Sequence, residues 1–160
     1  MTEENRELRC ASDSAVVCTH LVMPPDTNAL GNAFGGRIMS WMDIAAGVSA
    51  YRFCRRPAVT VAMDNIHFAE AIHLGDIVVV KAQVDYVGVT SMEISVSVDV
   101  DNVKDDTHKH CLDGFFTFVA VGDDGHSTTV PVMFPTTTEE QARWDAAELR
   151  RKNRPKRKDK

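Results

Sequence analysis

The chain has 160 residues, 44% hydrophobic and 26% charged, with a formal net charge of −5. That composition supports one globular domain with a substantial core and excludes a membrane span, since no apolar run approaches ~20 residues. Its acidic start, Met1-Thr-Glu-Glu-Asn-Arg-Glu7, resembles neither a secretory signal nor a transit peptide, so a cytoplasmic location is expected.

Residues 1–15 are polar and read as a flexible N-terminus. Val16–Val22 is a strand candidate, and Pro24 and Pro25 then force an extended loop. Gly31, Gly35 and Gly36 allow tight backbone turns before a helix that runs to about Phe53 and stops short of Pro57. From Ile38 to Tyr51 that helix is apolar or small, apart from Asp43. Such a segment is expected to be enclosed by protein on every side. Gly36, Ser40, Asp43 and Gly47 fall on one stripe, which leaves room beside the helix and places one acid in it.

Strands follow in quick succession. Val59–Met63 alternates, and Asp64-Asn65 predicts a bulge or bend. From Ile77 to Tyr86 one face carries Val78, Val80, Ala82, Val84 and Tyr86, the other Lys81, Gln83 and Asp85. Thr90–Val100 alternates strictly and predicts one wet face. Lys109–Val121 is apolar on both faces around Phe115 and Phe116, as suits a strand inside the sheet. Thr138-Glu-Glu-Gln141 fits a capping box opening a short helix over 136–149. Eight of residues 150–160 are Lys or Arg, which predicts a basic disordered tail. One helix gripped by about four antiparallel strands, within a core domain over 16–135, is an α+β architecture.

The run Pro24-Pro-Asp-Thr-Asn28-Ala-Leu-Gly31-Asn-Ala-Phe34-Gly35-Gly36-Arg-Ile-Met-Ser-Trp-Met-Asp43 resembles the signature of hotdog-fold acyl-CoA thioesterases, in the branch of the YciA-type bacterial enzymes and the eukaryotic cytosolic acyl-CoA hydrolases. Val59–Met63, Leu74–Val78 and Phe116–Val121 extend the similarity. The resemblance implies a hotdog fold, a long central helix wrapped by a curved antiparallel sheet. It also implies a homodimer joined edge to edge, commonly a trimer of dimers, with catalytic Asn28 and Asp43 contributed by different protomers. Acyl-CoA is the implied substrate, coenzyme A enters only as part of it, and no cofactor or metal is expected. Phe34, Gly88, Thr90 and Ser91 are expected to contact substrate. Relatives often carry Gly-Arg-Ser-Ser in the latter loop, whereas this chain has Gly88-Val89-Thr90-Ser91 and lacks an arginine there for a phosphate.

Thioester hydrolysis needs an activated water and a stabilised oxyanion. A carboxylate among Trp41, Met42 and Ile44 is disfavoured as a charge, so Asp43 should accept a proton readily or attack as a nucleophile. The N–H groups of Gly35 and Gly36 could hold the oxyanion, with the helix dipole behind them. Plainer roles are a structural partner for an arginine at Asp43 and an Asx turn at Asn28. A non-catalytic acyl-CoA-binding regulator with its tail on nucleic acid is the alternative function. No helix-turn-helix pattern supports it, and no aromatics are interleaved with the tail charges. A hydroxyacyl dehydratase ranks lower, because the central helix contains no histidine. Cys10, Cys18, Cys54 and Cys111 form no C-x-x-C pair and are expected to be reduced thiols.

Overall fold

Gly35–Cys54 forms the long helix α1, and a five-stranded antiparallel sheet bends around it. The computed structural model describes residues 6–154. Ile38, Trp41, Met42, Ala45, Ala46, Ser49, Ala50, Phe53 and Cys54 are the buried helix residues. Their spacing alternates between three and one, so they form a single apolar face. The helix ends where Arg55 turns left-handed at φ 53, two residues before Pro57.

The sheet holds β2 (Val16–Leu21), β3 (Ala58–Asp64), β4 (Ile77–Val87), β5 (Ser91–Asn102) and β6 (Thr107–Ala120) in the order β2-β4-β5-β6-β3. β6 is interior, as its two apolar faces predict, and β3 is an edge. A two-residue strand β1 (Leu8–Arg9) pairs in parallel with β7 (Val132–Met133). The concave face presents Val80, Val84, Ile94, Val96, Phe116 and Phe118 to α1, all buried. Truncating a fully enclosed ring such as Phe53 or Phe116 to alanine would cost about 3–5 kcal/mol.

Pro24 and Pro25, expected to force an extended loop, instead open a short 3-10 turn, Pro24–Asp26, because a proline fits the first positions of a helix. The structure departs from expectation in five further places. A sheet covers only one side of a cylinder, so α1 is not enclosed all round, and Ile44 is 58% exposed with Val48 and Tyr51 exposed beside it. Residues 8–14 are ordered: Ser14 is buried, its Oγ donating to the Ala11 carbonyl at 2.6 Å and accepting from the Val84 N–H at 2.9 Å. Residues 1–5 lie outside the described residues. In β4 the register shifts between Val84 and Tyr86, which turns Asp85 beneath cover and sends Tyr86 to the outer face. In β3 the shift falls between Thr60 and Ala62, and Asn65 at φ 56 ends the strand.

The fifth departure is the largest. Helix α2 (Thr138–Asn153) runs past 149 and lies on the outer sheet face, so the alternating polar side of β5 is covered rather than wet. Trp144 packs on Tyr86 at 4.5 Å between ring centroids, and Arg150 bonds Glu93, which is 5% exposed, at 2.7 Å. Arg150 and Arg154 are therefore part of the fold rather than a disordered tail, and the remaining tail residues, 155–160, lie outside the described residues. The expected capping box does not form: the cap is Thr137, which accepts from the Glu140 N–H at 3.1 Å, while Glu140 reaches past it to accept from the Thr136 N–H at 2.7 Å.

Asp85 is 3% exposed beneath this cover, and one of its carboxylate oxygens has no partner among the described residues. Burial pushes its carboxyl up to about 6 from an ordinary 3.8, against a smaller opposing effect of Ser95. The folded state therefore favours the protonated form, and Asp85 loses stability as pH rises through about 6. Asp85→Asn should gain stability relative to the wild type between about pH 4 and pH 8, by about 3 kcal/mol, in urea melts across that range.

Candidate active site

Asp43 projects from the middle of α1 and is half-buried. Its Oδ1 accepts a hydrogen bond from Thr60 Oγ1 at 2.7 Å. Among the described residues Oδ2 has no partner, and no guanidinium reaches either oxygen, so the arginine-paired structural role does not hold. Thr60 reaches inward because β3 alternates, with Val59 and Val61 turned out to exposed positions. Sequence reading missed Thr60. A lone hydroxyl in a strand is common, and only the pairing of β3 beside α1 gives it a role.

The N-terminus of α1 was foreseen. Phe34 occupies the cap position without a side-chain cap, and its carbonyl takes the N–H groups of Arg37 at 2.8 Å and Ile38 at 3.2 Å. Among the described residues, nothing accepts from the N–H groups of Gly35 and Gly36, which leaves two donors at the positive end of the helix. A Cβ at Gly36 would lie 2.7 Å from the Phe34 ring, so any side chain there displaces the phenyl. Phe34 itself is 61% exposed.

Asn28 stands in the loop before α1. Its side-chain oxygen accepts from the Leu30 N–H at 2.9 Å and the Asn32 N–H at 3.2 Å, while Gly31 turns left-handed at φ 76. The Asx-turn reading is therefore correct for the oxygen. The exposed amide nitrogen keeps both protons free to donate, so the turn aims the amide instead of competing with a site role.

Gly88, Thr90 and Ser91 lie at the β4–β5 hairpin, where the Gly88 N–H bonds the Ser91 carbonyl at 2.8 Å. Register places Val87 opposite Met92, Met92 opposite Phe118, and Phe118 opposite Thr60. The β4 arm of the hairpin is thus three strand spacings from Thr60, roughly 14 Å, and the Ser91 arm two, roughly 10 Å, so the hairpin does not touch Asp43 within one chain.

Two shallow clefts flank the helix start. One of about 330 Å³ is lined by Pro25, Thr27, Phe34, Gly36, Arg37 and Ser40; the other, about 220 Å³, includes Gly35, Ile38 and Phe68. A third cleft, about 750 Å³, lies on the outer sheet face against α2, with Lys81, Ser97 and Arg143 in its walls, on the other side of the sheet from Asp43. Asp43 lines none of the three. Ile44, Val48 and Tyr51 on α1 are exposed, as are Val59, Val61 and Met63 on the free β3 edge. An open strand edge offers unpaired N–H and C=O groups to which another chain can pair.

Burial raises the thiol pKa of Cys54 and of Cys111, so neither is an activated thiolate. His110 is held between Asp99 and Asp113, both at 2.9 Å, and His108 pairs with Asp101. Among the described residues no three His, Cys, Asp or Glu side chains cluster to hold a metal ion. His20 stacks flat on Trp41 at 4.4 Å, and burial lowers its pKa, opposed by nearby Asp26.

Comparison with known proteins places this arrangement. The thioesterase superfamily pattern matches residues 30–105. The chain is 37% identical over 155 residues to YkhA of Bacillus subtilis, an uncharacterized acyl-CoA thioester hydrolase, covering 97% of this chain and 90% of YkhA. An acyl-CoA hydrolase of Staphylococcus aureus, solved with butyryl-coenzyme A, coenzyme A and coenzyme A disulfide, superposes with a TM-score of 0.84 at 32% identity. That match covers 91% of this chain and 88% of the other. The same enzyme has been solved with alanine replacing an asparagine, an aspartate and a threonine numbered 28, 43 and 60, numbers that carry the same residue types here. A hexameric acyl-CoA thioesterase in its apo form gives a TM-score of 0.88 at 32% identity, covering 92% of this chain and 94% of its own. A long helix in a curved antiparallel sheet, together with this identity over almost the whole of both chains, means that the chain belongs to the hotdog-fold thioesterase superfamily, among its acyl-CoA thioester hydrolases.

Proposed function

We infer that this chain hydrolyses the thioester of acyl-CoA, releasing a free carboxylic acid and coenzyme A. The observation that carries this reading is the Asp43 carboxylate, fixed through one oxygen by Thr60 at 2.7 Å and free at the other, on the side of α1 that the sheet leaves open.

In this mechanism Asp43 takes a proton from a water molecule as that water attacks the carbonyl carbon, a contribution of ~10²–10⁴ in rate. Negative charge gathers on the carbonyl oxygen, and the N–H groups of Gly35 and Gly36 meet it, each such donor worth ~10²–10³ in kcat. The carbon–sulfur bond then breaks, and the coenzyme A thiolate leaves and takes back the proton. Thiolate is a good leaving group, so the site needs no strong acid. Direct attack by Asp43 would instead form an anhydride, and a single turnover in ¹⁸O-water separates the routes, because only an anhydride carries label into the Asp43 side chain.

Asn28 of the partner subunit orients the water or the carbonyl through its free amide nitrogen. A second copy joined along β3 would cover Val59, Val61 and Met63 and complete the surroundings of Asp43. Such dimers further assembled in threes would give a hexamer, and a hexameric relative supports this. Phe34 suits a contact with the acyl chain. The reaction requires only acyl-CoA and water. Four free cysteines suit the reducing cytoplasm as the place of action. With Arg150 and Arg154 engaged inside the fold, the basis for a nucleic-acid-binding tail is reduced to residues beyond them.

A panel of acyl-CoAs, followed with a thiol-reactive dye, tests the activity and gives the preferred acyl group. Asp43→Ala and Asn28→Ala should each lower kcat by ~10²–10⁴ with the oligomer intact, and full turnover in Asp43→Ala would sink the mechanism. Subunit mixing tests the shared site. In an equal mixture of the two inactive variants, half the dimers are mixed, and each of those holds one intact site of two, so about a quarter of wild-type activity should return. No recovery would mean that both residues serve the same protomer's site.

A further inference from the structure

The basic C-terminal segment has a use that the hydrolytic mechanism leaves unexplained. Arg154 follows the last turn of α2 and reaches three strands at once. Its Nη1 donates to Thr117 Oγ1 on β6 at 2.6 Å, and its Nη2 donates to Asp64 Oδ2 on β3 at 2.6 Å and to Glu93 Oε2 on β5 at 3.2 Å. The grip is itself anchored. Glu93 is nearly buried and also takes Arg150, whose guanidinium lies 3.6 Å above the Phe115 ring.

The residues it holds lie just past the irregular stretch of β3 that carries Thr60. β3 has a strand neighbour on one side only, and its register shifts between Thr60 and Ala62. The ladder resumes with Ala62 opposite Thr117 and ends with Asp64 opposite Phe115. Arg154 thus ties the first residue opposite the resumed ladder to the last residue of the strand. Moving the bulge past Thr60 would turn that side chain to the other face of the sheet and remove its hydroxyl from Asp43.

We propose that Arg154 is a positioning residue for hydrolysis: by fastening Thr117 and Asp64 beyond the bulge, it keeps the Thr60 hydroxyl turned toward Asp43. The proposal rests on the reading of Asp43 as the proton acceptor. It makes the end of α2 a working part of a site on the opposite face of the sheet.

A kinetic double-mutant cycle tests it, using the full chain with Arg154→Ala, Thr60→Val and both together. Arg154→Ala should lower kcat by roughly ten- to a hundredfold, the size that misplacement of a catalytic group gives, with KM within about twofold. Arg154→Lys should recover part of the loss. In the Thr60→Val background Arg154→Ala should add almost nothing, because the hydroxyl it positions is already gone. Hydrogen exchange should rise in residues 58–64 of Arg154→Ala while α1 stays protected. If Arg154→Ala fails to fold, Asp64→Asn releases the same strand end and takes its place in the cycle. Losses that multiply, a rise in KM alone, or unchanged kcat in Arg154→Ala would overturn the proposal. Full activity in Asp43→Ala would instead overturn the underlying mechanism, and the two failures are read from different proteins.

Discussion

A sheet of five strands can wrap only part of a helix, and this chain places its one central carboxylate on the part left out. Everything concave packs against Ile38, Met42, Ala45, Ala46, Ala50 and Phe53. Of the other stripe, Gly47 faces the Phe118 ring on β6, Gly36 and Ser40 are exposed, and Asp43 meets the edge strand β3 through Thr60. The geometry that buries the core therefore also leaves Asp43 at a boundary. It is held firmly by one hydroxyl and is open on its other oxygen.

The approach to the helix serves the same boundary. After β2 the two prolines open a single 3-10 turn, and Asn28 closes the loop that follows using its own oxygen. Because Phe34 caps the helix through its backbone alone, the N–H groups of Gly35 and Gly36 stay unspent. A conventional Ser or Asp cap would have used one of the helix's first N–H groups and added an oxygen where negative charge must gather. The missing side-chain cap is therefore consistent with an oxyanion site.

The outer face follows a different logic. Glu93 is nearly out of water and would be costly unpaired, yet it takes two guanidinium groups from a helix more than fifty residues away. Desolvation offsets most of the attraction in such a cluster, so its return in net stability is small. What the cluster supplies is geometry: it fixes where α2 ends and which register β3 keeps. Asp85, buried nearby with one oxygen unmatched, shows that this face tolerates a local cost to hold its arrangement.

The helix, the strands and the placing of Gly35, Gly36 and Asp43 along α1 were legible in the chain, because periodicity, proline, glycine and a lone acid act over a few residues and leave a local pattern. Asn28, by contrast, entered through the family resemblance alone. The bulges at Val61 and Asp85 were not legible, since an alternating pattern reads the same until a partner strand shows which residue goes unpaired. Thr60 was invisible as a site residue, and Arg150 and Arg154 read as a solvated tail, because the meaning of a hydroxyl or a charge is set by what lies across from it. Local sequence decided which segments coil and which extend; only the closed structure decided which polar groups face one another. Side-chain pairing depends on distances that the chain order does not contain.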